Sequence, residues 1–178
     1  IDFSKFGPVE VEPLSRIQQL SLANLHRSWL HVPHVTQHDQ ADVTELETMR
    51  RRFEDRRRPS DPKLTATALV IKAAVAALQA FPRVNASLDV EREELVLKRY
   101  VHIGVAVDTE HGLLVPVIRD ADRKNVATIA SELEDLAGRA RSRRLAPDEM
   151  QGATFTVTNL GGIGGTAFTP IVNWPQVA

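Results

Sequence analysis

One stretch limits the fold more than any other: Leu64 to Phe81, LTATALVIKAAVAALQAF, is apolar except for two threonines, Lys72 and Gln79. A helix of that composition must bury itself, and the breaks at Lys72 and Gln79 mark a core helix rather than a membrane span. The chain is long enough to cover it. With 178 residues, 43% hydrophobic and 25% charged, it can bury one sizeable core and reads as a single globular domain. Twenty-two basic against 23 acidic residues leave a net charge of -1, so no global field gathers nucleic acid or an anionic membrane, and any anion site must be local. The absence of cysteine excludes disulfides, thiolate metal sites and a cysteine nucleophile, and fits a reducing compartment. The opening IDFSKFGPVE lacks the charged start and apolar centre of a signal peptide, so a soluble protein or an excised domain is expected.

Around the core helix, the chain alternates between helical and strand patterns. Ser15 and Gln18 form a capping box, and Ile17, Leu20, Leu25 and Trp29 follow at helical spacing, which predicts a helix to about Leu30 that Pro33 stops. Polar Ser21 and Asn24 interrupt its apolar face. From His34, HVTQHDQADV alternates as a strand does, and Thr44 with Glu47 is expected to cap a second helix through MRRRFEDRRR. A turn at Pro59 to Pro62 precedes the core helix, expected from about Thr65 to Phe81. Past PRVNAS, residues 102 to 109 (HIGVAVDT) and 113 to 118 (LLVPVI) read as a hairpin turning at Glu110 to Gly112. Asn125 caps an amphipathic helix through Val126, Ile129, Leu133, Leu136 and Ala140, and Pro147 starts a short one ending near Met150. A strand then leads into a glycine loop.

That region, ATFTVTNLGGIGGTAFTP, fits G-x-G-x-x-A from Gly162 to Ala167. A dinucleotide fingerprint works only where the glycine turn opens a helix whose first amides meet the phosphate. Here FTPIVNWPQVA follows, with Pro170 and Pro175 and β-branched residues between them, which cannot carry such a helix. Two readings remain for the glycines. They supply positive φ angles in a plain turn, or they let a ligand lie against the backbone beside Thr156, Thr158 and Asn159 at a strand end, where a hydroxyl and an amide can be presented to it.

The stretches FTVTNLGGIGGTAFTPIVN, HIGVAVDTEHGLLVPVIRD, VPHVTQ and DEMQGATF resemble, in collinear order over nearly the whole chain, the catalytic domain of the dihydrolipoamide acyltransferases, the core components of 2-oxo acid dehydrogenase complexes. The AFTPIVN run looks most like the acetyltransferase branch, that of pyruvate dehydrogenase. The resemblance implies a chloramphenicol acetyltransferase-like fold, a mixed α/β (α+β) sheet backed by helices. It implies a homotrimer with sites at the subunit seams, built into a larger cage within a multienzyme complex. It implies transfer of an acetyl group between coenzyme A and a dihydrolipoyl-lysine carried on a separate lipoyl domain. Dehydrogenase and dihydrolipoamide dehydrogenase components are the implied partners, in bacterial cytoplasm or the mitochondrial matrix. A trimeric core without turnover from these residues, or an acyltransferase for another 2-oxo acid, is the alternative.

Thioester exchange needs a base to make a thiolate and a donor for the oxygen that becomes negative. The resemblance places the donor at Thr158, where the family has a serine; threonine keeps the hydroxyl and adds a methyl that limits its rotamers. It assigns coenzyme A contacts to Arg50, Thr65, Asp108, Asn159 and Gly162, together with Thr158. The family base is a histidine in an H-x-x-x-D-G or N-G motif about fifty residues beyond the glycine loop, so residues 1–178 are expected to be a catalytic domain lacking that C-terminal portion and its histidine. His38 and Asp42 imitate the spacing, but along a strand they would stand about 13 Å apart. His34 and His38 fail as a metal pair for the same reason, and no metal is expected. Read without the resemblance, Arg50 belongs to a solvated arginine-rich helix face, and Asp108 is a turn residue accepting backbone amides. Trp29 and Trp174 are candidate interface anchors, with burial in the core the expected role of each.

Overall fold

The structure, a computed structural model, describes residues 1–110, 112–161 and 164–178. Among the described residues four α-helices and five short strands form the framework: α1 (Arg16–His31), α2 (Thr44–Asp55), α3 (Ala66–Ala80), β1 (Ala86–Asp89), β2 (Glu94–Leu97), β3 (Ile103–Val105), β4 (Val117–Ile118), α4 (Val126–Arg141) and β5 (Phe155–Val157). The expected mixed sheet backed by helices is present. Its centre is β3, antiparallel to β4 with Ile103 opposite Ile118, and parallel to β5 with Gly104 opposite Thr156. A parallel pair cannot be closed by a tight turn. Here β4 and α4 lie in the connection from β3 to β5.

The apolar run becomes α3 because alanine and leucine favour helix and because the Thr65 hydroxyl accepts the Ala68 N–H at 3.2 Å, satisfying one orphan donor of the first turn. It stops at Phe81, ahead of Pro82, whose ring disfavours helical backbone in the residue before it. Its inner face, Ile71, Val75 and Leu78, packs with Ile103, Val105 and Ile118 of the sheet, with Ile129 and Leu136 of α4, and with Val157 of β5. Lys72 is accommodated because its ammonium reaches the Lys124 carbonyl at 2.7 Å. The outer face is open, with Val70 half exposed. Asn125 caps α4 through the Thr128 N–H at 2.8 Å, as its sequence predicts.

Gly104 is required by close approach rather than by a turn. A Cβ there would lie 2.9 Å from Thr156 Oγ1, 3.0 Å from Val115 Cγ1 and 3.2 Å from Ala153 Cβ. The absent side chain lets β3 and β5 pair with the Thr156 side chain above them.

Four expectations are corrected. Residues 34–43 form no strand; alternation alone does not make one when no neighbouring strand takes up the backbone groups. Thr44 does not cap α2. Val43 holds the N-cap position without a side-chain bond, and the Asp42 carboxylate accepts the Thr44 N–H at 2.9 Å. The apolar stripe of α1 lies outside the core: Leu20 and Leu25 are exposed, and Ser28 is the buried residue of the helix, although the Ser15–Gln18 capping box forms as expected. Trp29 and Trp174 are 61% and 45% exposed rather than buried. Trp29 stacks on His34, and Trp174 has Arg27 over its ring. A hairpin also forms where none is expected, β1 with β2, turning through Glu93 at φ 56°.

Candidate active site

Strand β5 ends at Val157, and the parallel pairing brings the C-terminal ends of β3 and β5 to one edge of the sheet. The Ala106 N–H donates to the Val157 carbonyl at 3.0 Å, so Asp108 and Thr158, each one or two residues further on, leave the sheet on the same side. Asp108 is exposed and Thr158 half-buried. Among the described residues nothing hydrogen-bonds to the Thr158 hydroxyl, and it is not one of their buried polar atoms that lack a partner, so it is neither sealed in hydrocarbon nor committed to the fold.

Asn159 turns the chain. Its Oδ1 accepts the Gly161 N–H at 2.8 Å and its Nδ2 donates to Thr67 Oγ1 at 2.9 Å. The first bond is a local turn closure of the kind asparagine favours; the second ties the start of the glycine loop to the first turn of α3. Gly162 lies outside the described residues. Gly164 and Gly165 take φ of +86° and +107°, conformations that disfavour any side chain, and residues 164–178 contain no helix. The condition for a pyrophosphate cradle is therefore unmet.

Thr65 sits two residues before Thr67, with its hydroxyl engaged as the cap of α3. Arg50 reaches the same corner through Nη1, which donates to the Leu64 carbonyl at 3.3 Å. Its fork is bidentate on Glu47, Nε and Nη2 each at 2.7 Å. Arg51 joins the same carboxylate at 2.9 Å. The hydrogen bonds from Arg50, then Arg51, hold the Glu47 carboxyl down at about 2, and the Glu47 carboxylate holds the Arg50 guanidinium above its ordinary value. The pair is therefore ionised at neutral pH. Arg57, just past α2, pairs with Glu54, so three of the six arginines between 50 and 58 are paired with carboxylates of α2. Arg50, Thr65 and Asn159 thus gather at the N-terminal end of α3. Asp108 and Thr158 share the sheet edge to which Asn159 connects them.

Three polar residues that sequence spacing did not single out, Ser28, Asn173 and Gln176, adjoin this edge. The Thr156 hydroxyl donates to Gln176 Oε1 at 2.8 Å and accepts from Asn173 Nδ2 at 3.2 Å, so Thr156 faces the protein's own polar groups. The Val172 N–H donates to His34 Nε2 at 3.0 Å while His34 Nδ1 lies 2.7 Å from the Val32 carbonyl, so both ring nitrogens are engaged by backbone. The Trp174 N–H donates to Ser28 Oγ at 3.1 Å. These partners lie far apart in sequence, and no local pattern reveals them. His38 and Asp42 do not form a pair, since the Asp42 carboxylate is turned to Thr44.

An apolar cavity of about 210 Å³ lies between α2, α3 and α4, lined by Met49, Phe53, Leu64, Leu69 and Val126 among others. None of its walls comes from β5 or the glycine loop, so it is not where an acceptor would meet Thr158. No group of three or more potential metal ligands occurs among the described residues, and none of the described helices is long and apolar enough to cross a membrane.

Residues 6–178 match the family described as 2-oxoacid dehydrogenases acyltransferase (catalytic domain). The dihydrolipoyllysine-residue acetyltransferase component of the pyruvate dehydrogenase complex of Cupriavidus necator is 54% identical over 177 residues, covering 99% of this chain and 32% of its own length. That of Pseudomonas aeruginosa is 52% identical over 178 residues, covering 100% and 32%. The chain thus spans about a third of the length of these curated relatives. A crystallographic and enzymatic study of a serine, a histidine and an asparagine in the catalytic mechanism of Azotobacter vinelandii dihydrolipoamide acetyltransferase gives a structure with TM-score 0.94 and 50% identity, covering 99% of this chain and 72% of that one. The cubic core of the pyruvate dehydrogenase multienzyme complex matches with TM-score 0.94, 50% identity and the same coverage.

Proposed function

From the premise that this chain belongs to the 2-oxoacid dehydrogenase acyltransferase catalytic-domain family, we propose that it transfers an acetyl group between dihydrolipoyl-lysine and coenzyme A in the core of a pyruvate dehydrogenase-type complex. The observation that supports this most directly is the half-buried Thr158 hydroxyl at the end of β5, without a hydrogen-bond partner among the described residues. As one thiol displaces the other at the acetyl carbon, Thr158 donates its hydroxyl to the carbonyl oxygen that gains negative charge. Coenzyme A, as substrate, supplies one thiol and a lipoyl arm on a separate domain supplies the other. Asn159, Thr65 and Asp108 line the coenzyme A side, to which the family resemblance also assigns Gly162. Arg50 meets a phosphate while still paired with Glu47, so it contributes as part of an ion-pair cluster rather than as an open fork. Residues 1–178 make up most of one catalytic domain, and the base is a histidine in its remaining C-terminal portion, a reading supported by the longer chain of the Azotobacter structure.

The apolar side chains left exposed on α1, Leu20, Trp29 and Leu30, are covered by neighbouring copies in a homotrimer within a larger cage. Lipoyl domains and the dehydrogenase and dihydrolipoamide dehydrogenase components dock to that assembly, in bacterial cytoplasm or the mitochondrial matrix. The test is Thr158→Ala in the full chain, assayed for acetyl transfer between acetyl-coenzyme A and dihydrolipoamide. Loss of one such donor lowers kcat about 10²- to 10³-fold, with Thr158→Ser close to the parent. A Thr158→Ala protein that transfers acetyl groups at the parental rate refutes the assignment.

A further inference from the structure

Thr156 and Thr158 alternate with the buried Val157 and so lie on one face of the chain leaving β5. They differ in what holds them. The Thr158 hydroxyl is free among the described residues, whereas the Thr156 hydroxyl makes two hydrogen bonds, to Gln176 Oε1 at 2.8 Å and from Asn173 Nδ2 at 3.2 Å. Gln176 is buried, 7% exposed, and its N–H donates to the Asn173 carbonyl at 2.9 Å, which closes the two partners into one polar cluster. On the opposite side, Thr156 Oγ1 lies 2.9 Å from the position where a Cβ on Gly104 would fall. The hydroxyl is therefore confined by the paired strand below and by residues 173 and 176 above. The cluster is itself anchored, through Trp174 N–H to the buried Ser28 hydroxyl and through Val172 N–H to His34.

We infer that Thr156 is a positioning residue, whose hydroxyl fixes the end of β5 so that the Thr158 hydroxyl stands in one orientation. The inference rests on the acetyl-transfer reading for its catalytic consequence, while its geometric content is independent of it. A donor must lie near 3 Å from the oxygen it stabilises, and a displacement of about 1 Å can lower a rate a hundredfold. Thr156→Val keeps the shape and removes both hydrogen bonds; Thr156→Ser keeps the hydroxyl; Gln176→Met removes the acceptor from the other side.

Two measurements on the full chain decide the matter. In steady-state acetyl transfer, Thr156→Val and Gln176→Met each lower kcat by roughly tenfold or more with KM for coenzyme A within about twofold, and Thr156→Ser restores the rate. In amide hydrogen exchange, residues 157–161 exchange faster in Thr156→Val and at the parental rate in Thr156→Ser. Parental kcat in Thr156→Val, or unchanged exchange over 157–161, overturns the inference. If the unsubstituted protein itself moves no acetyl groups, the acetyl-transfer reading falls, and the exchange measurement alone still decides whether Thr156 fixes the strand end.

Discussion

The space above Gly104 gives the sharpest stability prediction. Its backbone lies outside the left-handed region, so alanine fits the local conformation and only the methyl group matters. That methyl would meet Thr156 Oγ1 at 2.9 Å, Val115 Cγ1 at 3.0 Å and Ala153 Cβ at 3.2 Å, three side-chain atoms on the packed side of a central strand. Restricting the unfolded chain by a Gly→Ala change stabilises by about 0.4–1 kcal/mol, whereas forcing a methyl into a filled site costs about 1–3 kcal/mol. The net expectation for Gly104→Ala is destabilisation of about 1–2 kcal/mol. With a urea m-value of about 1–3 kcal/mol/M, the midpoint falls by roughly 0.3–2 M at unchanged slope. Thr156→Ala removes the nearest of the three atoms, so in that background Gly104→Ala should do less damage, a positive coupling in the double-mutant cycle. Equal stability of Gly104→Ala and the parent would refute the claim that strand pairing here requires a bare α-carbon.

Other perturbations separate the remaining claims. Glu47 is held at about 2 by its arginine partners against an ordinary 4.5, so its contribution is complete above about pH 4.5 and disappears as pH falls towards 2. Urea midpoints of the parent and Glu47→Gln should differ at neutral pH and converge on acidification; a constant difference down to pH 2 would contradict the pairing. Asn125→Ala removes the α4 cap seen at 2.8 Å and should cost about 1 kcal/mol in thermal or urea unfolding, with Asn125→Ser close to the parent.

The elements that were legible in sequence are those determined within a few residues. Ser15 with Gln18, and Asn125 with its amphipathic run, announce helices whose first amides they satisfy; the 102–118 hairpin and the apolar α3 follow from periodicity. What sequence misjudged depends on distant partners. Residues 34–43 alternate as a strand does but meet no neighbour to pair with, and β1–β2 pairs although its alternation is masked by the charged stretch around Glu93. At the site, Thr158 and Asn159 could be picked out because a hydroxyl and an amide precede glycines. The engagement of Thr156 could not, because Asn173 and Gln176 reach it from across a loop. Nor could the pairing of Arg50 with Glu47 be separated from a solvated charge run before the bond lengths were known.

The anchoring of α1 has a consequence for the order in which the protein matures. Its capping box lets the helix start as soon as residues 15–18 exist, yet the hydrogen bond that fixes its buried Ser28 comes from the Trp174 amide, 146 residues later. During synthesis this bond cannot form until almost all of these residues have left the ribosome, so the Ser28 end of the helix goes without it for that interval. Such an interval is the kind that favours misassociation between nascent chains.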